Sequence, residues 1–191
     1  MKTQTAHTHD VCSAEHAGWL STPLRRLVTN PRSILRGLVG PGDRVADLGC
    51  GPGFFTLPLG EAVGAGGEVL AVDLQPEMLE KVHALASERG LLERISLRRC
   101  SVDSLGLDAA GALDFALAFW MVHEVPDKRR FFGEVSAALR PGGRLLLAEP
   151  RWFVPEAEWS ETLEVAHGAG LAVAGPRRVA FSRAVLLEKP D

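Results

Sequence analysis

With 191 residues, 46% of them hydrophobic and 24% charged, the chain is long enough for one sizeable core of ordinary globular composition. A formal net charge of -3 gives no general electrostatic attraction to nucleic acid or to an anionic membrane. No apolar run approaches the roughly 20 residues that cross a bilayer. The start "MKTQTAHTHD" lacks the apolar centre of a signal peptide, and Cys12, Cys50 and Cys100 are too scattered for a disulfide framework, so a cytoplasmic protein is expected.

Residues 1 to 15 are polar and dotted with histidine. His7, His9, Asp10, Cys12 and His16 match no closed zinc pattern, so no metal site is expected. From His16 to Val39 apolar residues recur at three- and four-residue steps, broken by Pro23 and Pro31. This predicts two short helices, the second starting near Asn30 and Pro31, and "GPGD" then stops it. Short apolar runs follow, and the strand candidates are Arg44 to Leu48, Glu68 to Val72, Arg94 to Arg99, Leu113 to Phe119 and Arg144 to Ala148. Helical patterns fit between them at Phe54 to Val63, Pro76 to Arg89 and Asp127 to Leu139, with a shorter one around Asp103 to Ala110; "RPGG" is expected to end the helix from Asp127. Such alternation implies right-handed βαβ units around a parallel sheet, an α/β doubly wound architecture. The tail differs, with a helical run from Glu156 to Gly168 and two extended runs, Leu171 to Val179 and Arg183 to Glu188. These predict an antiparallel hairpin at one sheet edge.

The stretch "VADLGCGPGFFT" places Gly49, Gly51 and Gly53 straight after the first strand, where a sharp turn and close ligand approach need residues without a Cβ. A dinucleotide fingerprint would want a further glycine in the pattern G-x-G-x-x-G, and position 54 is Phe. Asp47 stands at the strand end, poorly placed for a pyrophosphate and well placed for a cationic group such as the amino group or sulfonium of S-adenosylmethionine. Asp73 closes the second strand, where a carboxylate meets both hydroxyls of a ribose. Asp103 follows the third, suited to an adenine amino group. Successive strand-end carboxylates favour a cationic nucleoside over a dinucleotide.

Taken together, "VADLGCGPGFFT", "VLAVDLQPEML", "SVDSLG" and "LRPGGRLLLAEP" resemble a class I S-adenosylmethionine-dependent methyltransferase over about Asn30 to Lys189. The resemblance implies a mostly parallel seven-stranded sheet with helices on both faces and an antiparallel C-terminal strand. Residues 1–39 would then be an N-terminal extension and substrate-covering helical cap, and residues 40–191 the cofactor-binding domain. It further implies that Asp47, Gly49, Gly51 and Gly53 surround the methionine part, that Asp73 holds the ribose, and that Leu74 and Asp103 meet the adenine. Cys50 is a small filler within the loop, and Cys100 a core residue.

Methyl transfer asks the protein mainly for position and a dry pocket, and for a general base where the acceptor is weakly nucleophilic. The segment after the fourth strand reads "AFWMVHEVPDK". Trp120 and Met121 are placed there as a wall near the methionine moiety. His123, with Glu124 and Asp127, is similar to the segment that supplies the base in small-molecule O-methyltransferases, and Glu149 is a second candidate, a helix cap or ion-pair partner on the plainer reading. Without an Asn/Asp-Pro-Pro-aromatic motif, a small-molecule acceptor is favoured over nucleobase or glutamine amines. The cysteine pairs usual for arsenite methylation are missing, so that acceptor is disfavoured. The arginine pairs in "PLRRLV", "LRRC", "DKRRFF" and "PRRVAF" read as solvated faces, with Arg25, Arg26 and Arg32 near the cap able to steer an acidic substrate. Two other classes stay open: a non-catalytic S-adenosylmethionine-binding module, and a nicotinamide-dependent oxidoreductase, which Asp47, Phe54 and Asp103 oppose. Neither the acceptor nor the oligomeric state is legible.

Overall fold

The computed structural model describes residues 29–107 and 111–191. The expected helix beginning at His16 and the histidine-rich start lie outside the described residues, as do Arg25, Arg26 and the end of the Asp103 to Ala110 segment.

The first described element is helix α1 (Pro31–Leu35), started by Pro31 and by Asn30, whose side chain accepts from the Ser33 amide at 3.4 Å. Strand β1 (Arg44–Leu48), helix α2 (Thr56–Ala62), strand β2 (Glu68–Asp73), helix α3 (Pro76–Glu88) and strand β3 (Ile95–Arg99) form two successive βαβ units. Strand β4 (Leu113–Phe119), helix α4 (Lys128–Ala138) and strand β5 (Leu139–Pro150) follow, then helix α5 (Glu156–Gly168) and strands β6 (Ala172–Pro176) and β7 (Ser182–Glu188). Asp127 caps α4, its Oδ1 accepting from the Arg130 amide at 2.9 Å.

The sheet runs in the order β3-β2-β1-β4-β5-β7-β6, parallel except where β7 pairs antiparallel with β5 and with β6. The predicted doubly wound sheet and terminal hairpin are therefore both present. β1 is flanked by β2 and β4, so the chain leaves in opposite directions on its two sides. The carboxyl ends of β1 and β4 border the crevice where ligands of such sheets bind. Apolar side chains fill both faces. Val45, Phe115, Leu117 and Leu146 lie in the core under α1, α2 and α3, while Ala46, Leu48, Ala116 and Leu147 lie in the one under α4 and α5. This double burial makes the central strands read as continuous apolar runs.

Two expectations are corrected. Helix α4 stops at Ala138 rather than at the glycines, and "RPGG" lies inside β5 as an irregularity, where the pairing jumps from Leu113–Leu139 to Phe115–Arg144. A Cβ on Gly143 would sit 2.8 Å from the Arg140 carbonyl oxygen and 2.9 Å from that of Leu113, so the irregularity demands glycine. The segment from Asp103 is a turn and coil as far as Leu107. Glu134 on α4 accepts from Ser104 Oγ at 3.1 Å and the Leu105 amide at 2.9 Å, and these bonds hold the chain extended. No helix among the described residues is long and apolar enough to cross a membrane.

Phe132 anchors α4 with no exposed surface and meets Phe131 edge-on at 5.1 Å. Phe132→Ala is expected to lower the unfolding free energy by about 3–5 kcal/mol in urea denaturation; a loss under about 1 kcal/mol would contradict this packing.

Candidate active site

The crevice begins where β1 ends. Gly49 has φ 67° and Gly51 φ 51°, left-handed conformations that glycine adopts without penalty. At Gly49 the space is also taken, since a Cβ would lie 3.0 Å from Met121 Cβ and Cγ. At Gly51 nothing stands within 4 Å, leaving the peptide open to a ligand. The loop is fastened to β2 twice, by the Cys50 amide donating to the Val72 carbonyl at 3.0 Å and the Gly51 amide donating to Asp73 Oδ2 at 2.8 Å.

Two acids lie beneath this loop. Asp47 is 2% exposed and accepts from Thr56 Oγ1 at 2.6 Å. Burial pushes its carboxyl up to about 7, with the Asp73 charge adding to the rise and the Thr56 hydrogen bonds opposing it. Asp73 is raised as well, first by burial, against backbone donors that include Gln75 at 2.9 Å and Gly51. Cys50 is buried and its thiol is pushed far up by burial and by both acids, which suits a filler and not a nucleophile. Leu74 is half-buried at the exit of β2. Asp103 stands apart from these acids, on the turn closed by Ser101 and Ser104, with its exposed carboxylate 3.9 Å from the Arg130 guanidinium.

Across the crevice, aromatic rings form a continuous wall. Phe54 meets Phe55 edge-on at 5.2 Å, Phe55 meets Phe119 at 4.5 Å, and Phe119 stacks on Trp120 at 5.2 Å. Asp47, Gly49, Gly51, Phe54, Phe119 and Trp120 bound a cavity of about 80 Å³. Trp120 takes φ 60°, a strained value for a bulky residue. It is held by its amide on the Ala148 carbonyl and by its Nε1 donating to Ser182 Oγ, each at 2.8 Å.

One turn further on, in the short 3-10 segment Val122–Glu124, His123 Nδ1 lies 2.5 Å from Glu149 Oε2. Glu149 is 1% exposed, and its other oxygen accepts from the Val122 amide at 2.8 Å. A carboxylate here is acceptor only, so Nδ1 is assigned the proton and Nε2 is the basic nitrogen of neutral His123. Burial lowers the pKa of this imidazole, but the Glu149 hydrogen bond and charge, with smaller help from Glu124 and Glu158, leave it raised overall. Asp127, grouped with His123 on sequence, is occupied as the α4 cap. Glu149, whose plainer reading was a cap or an ion-pair partner, is what holds the histidine.

Sequence reasoning missed the outer rim. Trp152, Phe153 and Phe181 are 53%, 68% and 58% exposed. Trp152 meets Trp120 at 5.4 Å and Phe181 at 6.2 Å, and Phe153 lies 5.7 Å from the His123 ring. The adjacent aromatics in "EPRWFVP", directly after β5, were the available signal.

Comparison with known proteins bears on the family and the fold. The methyltransferase domain family matches residues 45–143. An aklanonic acid methyltransferase of Streptomyces sp. (strain C5) is 32% identical over 148 residues, 77% of this chain and 62% of that protein. An arsenite methyltransferase of Halobacterium salinarum is 30% identical over 120 residues, 63% of this chain and 30% of that protein. The chain thus spans roughly a third to three-fifths of the length of the curated relatives it matches. The crystal structure of a SAM-dependent methyltransferase from Aquifex aeolicus superposes with a TM-score of 0.81 at 22% identity, covering 93% of this chain and 98% of that one. Family match and sheet order agree: the chain belongs to the methyltransferase domain family and has the class I S-adenosylmethionine-dependent methyltransferase fold.

Proposed function

We propose that the protein transfers a methyl group from S-adenosylmethionine to a hydroxyl or similarly weak nucleophile on an apolar small molecule, with His123 as general base and Glu149 as its positioning residue. The observation that carries this reading is the pairing of His123 Nδ1 with the buried Glu149, which leaves Nε2 as the proton acceptor.

The donor set fits the cofactor. S-adenosylmethionine supplies an electrophilic methyl on a sulfonium that is already a good leaving group. Asp47 accepts the positive charge of the methionine end, and Gly49, Cys50, Gly51 and Gly53 leave room for it. Asp73 spends one lone pair of each oxygen on loop amides and retains others for two ribose hydroxyls. Leu74 and the turn that carries Asp103 flank the adenine end. Trp120 and Met121 close the methionine side and exclude water.

On the acceptor side, the exposed rings of Trp152, Phe153 and Phe181 suit an apolar, planar compound. Nε2 of His123 takes the hydroxyl proton as the oxygen attacks, and the Glu149 carboxylate stabilises the imidazolium that results. A soft acceptor such as arsenite calls for thiolates; the Cys50 thiol is buried, and no group of three or more metal-binding side chains occurs among the described residues.

Three outcomes are expected. In calorimetric titration, Asp73→Ala weakens S-adenosylmethionine binding by about 10- to 100-fold, the loss of one charged hydrogen bond or more; unchanged affinity would reject the ribose role. Because a cationic ligand favours ionised Asp47, and this group titrates near 7 when the site is empty, affinity should fall by up to about ten-fold per pH unit below that value. The same titrations in buffers of different protonation enthalpy should show proton release near neutrality, and a flat profile from pH 5 to 8 would remove Asp47 as the charge partner. Third, across a panel of phenolic acceptors assayed by S-adenosylhomocysteine release, His123→Ala should lower kcat by about 100-fold or more with cofactor affinity kept. In Glu149→Gln the main raising influence on His123 is gone. Its acid limb should move to lower pH while the plateau rate drops, whereas a merely structural Glu149 would leave the limb in place.

A further inference from the structure

A second hollow, of about 320 Å³, opens between α1 and the connection from β6 to β7. Leu146 and Val179 form its apolar floor. Ser33, Arg36, Arg177 and Arg178 supply the polar side, and among the described residues no carboxylate lines it. The arginines of "PRRVAF", taken on sequence as a solvated face, therefore line a concavity. Neighbouring arginines are committed: Arg32 pairs with Glu61 at 2.5 Å, Arg183 with Glu156 at 2.7 Å, and Arg151 donates to the Ser182 carbonyl at 3.0 Å. Among the described residues Arg36, Arg177 and Arg178 make no ion pair.

In a chain whose acidic residues outnumber its basic ones, three unneutralised guanidiniums gathered on one hollow repel each other, and an anion relieves that repulsion. The planar fork of arginine matches the paired oxygens of carboxylate and phosphate. We infer that this hollow is a recognition site for a small molecule bearing a carboxylate or phosphate group. The inference goes beyond the methyl-transfer reading and does not rest on it. The hollow is joined to the active site by the chain itself. Arg177 donates its amide to the Ala184 carbonyl at 3.1 Å, Ser182 donates its amide to the Val179 carbonyl at 3.1 Å, and Ser182 Oγ holds Trp120. An anion seated on Arg177 and Arg178 braces the connection that positions Trp120.

The test is titration of the purified protein with inorganic phosphate and, in a parallel arm, with acetate, at constant ionic strength against chloride, followed by amide NMR shifts. Saturable shifts centred on Arg36 and residues 177–179 are expected, and the arm that saturates at lower concentration tells phosphate from carboxylate preference. The double variant Arg177→Ala/Arg178→Ala should weaken binding at least ten-fold. Arg36→Gln, which keeps bulk and removes charge, should weaken it several-fold with an unchanged melting temperature. Arg129→Ala, an exposed position on α4 over the opposite sheet face, should leave it within two-fold. Shifts that fail to saturate in both arms, or an equal loss in the Arg129 variant, would overturn the inference.

Discussion

The architecture of the candidate site depends on burying three carboxylates, Asp47, Asp73 and Glu149, along the carboxyl edge of strands β1, β2 and β5, where they are 2%, 8% and 1% exposed. Each is compensated differently. Asp73 has backbone amides on both oxygens, and Glu149 has a backbone amide on one oxygen and an imidazole on the other. Asp47 relies on Thr56 and consequently holds its proton up to about 7. A rise of that size from the ordinary 3.8 disfavours the ionised form by on the order of 4 kcal/mol relative to a carboxyl in water. The least satisfied carboxylate is therefore the one that borders the cavity under the glycine loop, which is why the proposed cationic ligand is placed there.

Trp120 connects this edge to the rest of the domain. A left-handed backbone at a tryptophan costs on the order of 1–2 kcal/mol and persists only where its surroundings over-determine it. Here the amide is tied to β5, the ring stacks on Phe119, and the indole N–H is tied to Ser182 at the start of β7. Three strands thus fix one side chain. The conformation turns the chain off β4 so that Met121 fills the space against Gly49 and His123 arrives at Glu149.

The glycine loop, Asp47 and Asp73 were legible because each lies at the end of a strand that its own apolar run defines, so local order alone sets its place in the crevice. For the same reason β1 and β4 carry the predicted ends, whereas β5 starts five residues before its predicted start, through the glycine irregularity. The His123–Glu149 pair was not legible as a pair, because it joins residues 26 apart through the β4–β5 register, in which Phe119 stands beside Ala148. Local reading instead grouped His123 with Asp127, a residue whose place before a helix already gave it another use. The turn after β3 was misread as helical because Ser104 and Leu105 are bonded to Glu134, a partner that a local pattern does not include. Exposed arginines carry no mark in sequence of whether the surface beneath them is flat or hollow, so Arg177 and Arg178 looked like any solvated pair.

The positions of the two hollows divide charge by sign. Beneath the glycine loop the acidic groups are Asp47 and Asp73, both buried and both raised in pKa, so a positively charged group favours their ionised forms and a phosphate disfavours them. On the far side of the β6–β7 connection the charge comes from Arg36, Arg177 and Arg178, which make no ion pair among the described residues, and has the opposite sense. On the proposed cofactor placement, an anion is drawn away from the glycine loop and a cationic cofactor away from the arginines. Ligands of opposite charge can occupy the two hollows together without competing, and the chain between Arg177 and Ser182 is the element through which each would register the other.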